Sequence, residues 1–138
     1  MANYVATARS NVFRVKDAEA FLEWAETLPR VTAEAVHNAP DYFLLLMLEE
    51  DCDGWPTTRE SEDSLDGEEF DLVSELADHL AAGSVAVLEE VGHEKLRYLV
   101  GYAVAVNHLG EEIYVSLDEV YVRAEAAGWG TDIPRAAY

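Results

Sequence analysis

The sequence predicts an α+β fold: an antiparallel sheet of about five to six strands with three helices packed on it. Three observations lead there. Apolar spacing alternates along the chain between a period of two and a period of about 3.6. Most strand-like segments are separated by short turns rather than crossover helices. Half of the 138 residues are hydrophobic, enough for one core in a single domain spanning 1–138.

Taken in order, Tyr4 to Arg9 and Val12 to Val15 alternate as strands. In KDAEAFLEWAETLP, Ala18, Phe21, Leu22, Ala25 and Leu28 recur at helical spacing behind Asp17 as N-cap, and Pro29 stops the helix. A short alternating piece, Val31 to Val36, precedes YFLLLML, whose unbroken apolar run suits a strand covered on both faces. Residues 49–67 follow as an acidic, irregular segment broken by Gly54, Pro56 and Gly67. Asp66 and Glu69 read as a capping box for a second helix with Phe70, Val73, Leu76, Ala77 and Leu80 inward and Gly83 past its end. SVAVLEEV, KLRYLVGYAVAVN and EEIYVSL then form a meander, divided at Gly92 and at His108-Leu109-Gly110. In its middle strand Leu96, Tyr98, Val100, Tyr102, Val104 and Val106 share one parity. Gly101, Ala103 and Ala105 share the other, a small-residue face suited to a closely packed helix. Ser116 and Glu119 read as a capping box for the third helix.

Charge is the largest anomaly. Twenty-eight acids against nine lysines and arginines give −19, and residues 49 to 71 alone hold eleven of those acids with only Arg59 to offset them. Such a surface repels nucleic-acid backbones and anionic membranes, so a basic protein surface is the expected partner and direct nucleic-acid binding is not. A homodimer is compatible with the sequence. Cys52 is the single cysteine, which fits a reducing, cytoplasmic setting, and no apolar run is long enough to cross a bilayer.

The opening MANYVATARSNVFRVKD and the later GHEKLRYLVGYAVAVN resemble a family of small proteins encoded by phages, plasmids and conjugative elements. The resemblance implies a mobile-element context, in which small acidic proteins act against host defence in the manner of anti-restriction or anti-CRISPR proteins. It implies no reaction and no site residue.

The acids admit three readings. As a nucleic-acid mimic, the chain would present Glu19, Glu23 and Glu26 on helix one and Glu68, Asp71, Glu75 and Asp78 on helix two, at three- and four-residue spacing without lysine partners. As a Ca²⁺ site, Glu49, Asp51, Asp53 and Glu60 fall at positions one, three, five and twelve of an EF-hand-like loop with Gly54 at position six; Glu at position one, Pro56 at position eight and the preceding strand depart from that pattern. As salt adaptation, the acids carry no charge-specific role. An enzyme or ligand-binding domain using the sheet face is the alternative from another class. No H-E-x-x-H spacing is present, and Cys52 between Asp51 and Asp53 is poorly placed to be a thiolate.

Overall fold

A computed structural model describes residues 4–48, 53–61, 64–95 and 97–136. Its elements are β1 (Tyr4–Ser10), β2 (Phe13–Arg14), α1 (Ala18–Ala25), β3 (Thr32–Val36), β4 (Ala39–Leu46), β5 (Thr58–Ser61), β6 (Ser64–Glu69), α2 (Leu72–Ala77), β7 (Val85–Glu94), β8 (Tyr98–Asn107), β9 (Glu112–Ser116) and α3 (Glu119–Ala126). The main sheet is antiparallel. Its path runs β2-β4-β1-β7-β8-β9 with β3 on the other side of β4, while β5 and β6 form a separate hairpin. The expected α+β class holds.

Strands β1 and β2 are one alternating run broken where the backbone must bend. The buried Ser10 hydroxyl accepts the Leu45 N–H at 2.8 Å and donates to the Asn11 carbonyl, so the polar atoms at the break are satisfied inside the sheet. Asn11 bonds β7 instead, accepting from Val87 N–H and donating to the Val85 carbonyl.

One face of the sheet carries the core. Ala8, Phe13, Phe43, Leu45, Ala86, Leu88, Val104 and Val106 project from the strands and, with Val15 just past β2, meet Phe21 and Leu28 from the α1 region and Leu72, Leu76, Ala77 and Leu80 from the α2 region. Phe21 is fully buried, edge-on to Phe13 at 5.7 Å and tilted against Phe43 at 4.9 Å. Helix α1 begins as read: Asp17 accepts the Ala20 N–H.

Several expectations need correction. The second helix is only Leu72–Ala77, because Ser64–Glu69 is spent as β6 against β5; the cap is therefore Asp71, which accepts the Ser74 N–H, while Asp66 and Glu69 lie within β6 and not at the start of the helix. The segment 49–67 is not wholly irregular, since it carries most of that hairpin. Gly92 divides nothing: it lies within β7 opposite Val100, where an added Cβ would run into the Val5 carbonyl, and the turn falls after Glu94. Asp118 is the N-cap residue of α3, without a side-chain cap bond, and Ser116 belongs to β9. The core helices α1 and α2 pack on the side of β8 that carries Val104 and Val106, the bulky parity and not the small one. The Leu117 side chain lies closest to Gly101, and α3, which buries no residue, lies beside β9.

Candidate interaction surface

The acidic stripes expected on two helices are not equivalent in the fold. Glu19, Glu23 and Glu26 stand exposed at α1, and none has an ion pair among the described residues. The second stripe is dispersed: Glu68 belongs to β6 and is paired with Arg59, Glu75 is half-buried, and Asp71, the α2 cap, and Asp78, at the C-cap, are exposed with no ion pair among the described residues. The absence of a lysine misleads here, because an arginine from another element supplies the positive charge.

That arginine is Arg59 on β5. Its Nε donates to Glu68 Oε1 at 2.6 Å, and its two terminal nitrogens grip both Glu75 oxygens at 2.7 and 3.0 Å. The guanidinium also lies 4.6 Å from the centre of the Phe70 ring. From α1, Trp24 Nε1 donates to Glu75 Oε1 at 2.8 Å, and the Trp24 ring stacks on His79 at 5.0 Å. One carboxylate therefore ties three elements together: the hairpin, α1 and α2. Burial pushes the Glu75 carboxyl upward, but hydrogen bonds from Arg59 and Trp24 outweigh it and hold the group below its ordinary value. Burial, the first of several causes, lowers His79 below its ordinary value. The hydrogen bond to Glu75, first among several causes, raises the Arg59 guanidinium further.

Beside this network runs an open groove of about 750 Å³, lined by Trp24, Glu26, Thr27, Leu28, Pro29, Arg59, Glu60, Glu68 and Glu75. Four carboxylates and one guanidinium leave it formally −3, with an indole in its wall. A lysine or arginine side chain entering it would meet carboxylates and an aromatic surface together.

A second carboxylate is internal. Glu90 is 6% exposed and faces the core side of β7; it accepts from Tyr4 Oη at 2.7 Å, Tyr102 Oη at 2.9 Å and the Trp55 backbone N–H at 2.8 Å. Burial, then the bonds to Glu90, raise both tyrosine hydroxyls well above their ordinary value. With donors on both oxygens, Glu90 works as a clamp holding the Gly54-Trp55 turn to the sheet. Nothing in the sequence marks it apart from twenty-seven other acids, except its parity with Ala86 and Leu88.

Of the four expected calcium ligands, Asp53 and Glu60 are among the described residues. Asp53 is paired with Arg30 at 2.8 Å and bridges to Ala6, while Glu60 lies on strand β5; Glu49 and Asp51 lie outside the described residues. No group of three or more metal-ligating side chains occurs among the described residues. No helix among them is long and apolar enough to cross a membrane.

Compared with protein-family models, with curated proteins and with solved structures, the chain finds no match, which leaves the surface itself as the basis for function.

Proposed function

We propose that this chain is an acidic interaction protein whose contact surface is the groove between α1 and the β5–β6 hairpin, extended by Glu19 and Glu23, and that its partner presents a basic protein surface. The observation that carries this is the convergence of Glu26, Glu60, Glu68 and Glu75 on one groove with Trp24 in its wall and only Arg59 as counter-charge. The resemblance to mobile-element proteins supports a host-defence protein as the target, one whose own ligand is nucleic acid.

Full imitation of a duplex is the weaker form of this reading. Glu19, Glu23 and Glu26 place three charges along about 10 Å of helix, whereas duplex DNA carries roughly six over the same length. The surface competes with nucleic acid for part of a basic cleft rather than reproducing the whole polymer.

An oligo-lysine peptide titrated into the labelled protein tests this by NMR. Shift changes should concentrate on the groove, and the Trp24 indole resonance should move. Glu23→Lys with Glu26→Lys should weaken binding severalfold, while Glu111→Lys with Glu112→Lys should leave it nearly unchanged. Equal losses from both pairs, or shifts spread over every acidic face, would reduce the interaction to a non-specific polyanion effect.

A further inference from the structure

The sheet has two edges and they are built differently. The β3 edge is protected by a register shift between Ala35 and Val36 and by Glu34 in mid-strand. The β9 edge, Glu112–Ser116, carries neither a shift nor a proline, and Ile113, Tyr114 and Val115 are 70%, 61% and 46% exposed. Its hydrogen-bond phase follows from the two ends of the ladder: Leu117 N–H donates to the Gly101 carbonyl and Asn107 N–H to the Glu111 carbonyl. Alternation then turns the backbone groups of Ile113 and Val115 towards β8 and those of Glu112, Tyr114 and Ser116 outward.

We infer that β9 pairs antiparallel with β9 of a second copy of this chain, about a two-fold axis through Tyr114. The strand is self-complementary in that register. Tyr114 meets its own copy, Glu112 meets Ser116 and Ile113 meets Val115, so every outward N–H and C=O of these three residues gains a partner. No acid stands directly opposite another. Two Ile-Val pairs close on one face and two tyrosine rings meet on the other.

Charge decides between a copy and a foreign strand. A net −19 favours a basic partner in general. Next to this edge Asp118 is engaged by Arg135 at 3.2 Å and Glu119 by Arg123 at 2.9 Å, while Glu111 and Glu112 have no ion pair among the described residues but, in this register, face no other acid. On the sheet face that continues from Ile113 and Val115 across β8, β7 and β1, the ionisable residues are Glu89, His93 and Arg9, which sum to zero with His neutral. Glu111 and Glu112 of each copy add repulsion at the edge, and ordinary salt, with a screening length of about 8 Å, damps it enough for two copies to meet here. A five-residue strand pair covers much less than the roughly 800 Å² per partner of a standard interface, so the dimer is weak and depends on concentration.

Sedimentation equilibrium and amide exchange, run across protein concentration at low and high NaCl, test the pairing. Dimer should increase with concentration and salt, and the amides of Glu112, Tyr114 and Ser116 should become protected in step with it. Tyr114→Pro removes an outward N–H while sparing the β8 ladder, and should give a folded monomer. Ile113→Lys with Val115→Lys sets like charges opposite across the axis and should do the same, which keeps the test decisive if the proline variant does not fold. A wild-type protein that stays monomeric at millimolar concentration in high salt would overturn the inference. So would a dimer whose three amides exchange freely, or one that survives the double lysine substitution.

Discussion

Glu90 shows how a single side chain can hold a turn in place. It sits at 6% exposure with three donors converging on it, and Gly54, at φ +99°, lies against its carboxylate. Both properties of Gly54 matter, since the left-handed backbone disfavours a side chain and the carboxylate occupies the space where one would go. Gly54→Ala should destabilise the fold by more than about 1 kcal/mol, and Glu90→Gln by roughly 1–3 kcal/mol, because an amide nitrogen turned towards a donor leaves it unsatisfied. Urea unfolding measures both. If either variant matched the wild type, the turn would not depend on this clamp. Phe21, fully buried among the rings of Phe13, Trp24, Phe43 and His79, should cost about 3–5 kcal/mol when truncated to Ala.

Helix α2 has six residues and could not persist without its neighbours. Its first turn rests on the Asp71 cap, so Asp71→Ala should cost about 0.5–2 kcal/mol. Its exposed side is tied through Glu75 to Arg59 and Trp24, and Arg59→Gln should loosen the hairpin first, visible as faster amide exchange across β5 and β6. The same contacts make stability respond to acid. Glu75 and His79 both have proton affinities lowered on folding, so the unfolded chain binds more protons and stability falls as pH drops. For His79 the loss begins below its ordinary value of 6.5, for Glu75 below 4.5. His79→Phe retains a ring against Trp24 but cannot titrate. The drop in unfolding free energy between about pH 7.5 and pH 5.5 should therefore be smaller in the variant than in the wild type. An equal drop would place the titrating group elsewhere.

Across the whole molecule, 28 acids repel one another against only nine lysines and arginines, and five ion pairs join described residues. Exposed pairs of this kind contribute little each, so screening is the larger lever. The melting temperature should rise as NaCl is raised from near zero past about 0.1 M, and flatten once neighbouring acids are screened. A melting temperature indifferent to salt would mean that the acids are spaced widely enough not to interact. Acid also relieves this repulsion, which opposes the local losses at His79 and Glu75. That opposition is why the comparison with His79→Phe, and not the wild-type curve alone, isolates the local effect.

Local chemistry determined what was legible in the chain. Periodicity alone marked α1 with its Asp17 cap, β3, the apolar β4 and the three-strand meander, because alternation and capping are set by neighbours a few residues away. It also showed which parity of β8 is bulky. Only the tertiary structure decided that α2 starts after a hairpin and that the bulky parity, not the small one, faces the helices. Tertiary contacts likewise single out Glu75 and Glu90 as bound carboxylates among many exposed ones. Sequence spacing treats every acid alike, whereas burial and a hydrogen-bond donor arriving from a distant element make each one different. Arg59 reaches Glu75 across 16 positions and Tyr4 reaches Glu90 across 86, separations over which no periodicity carries information.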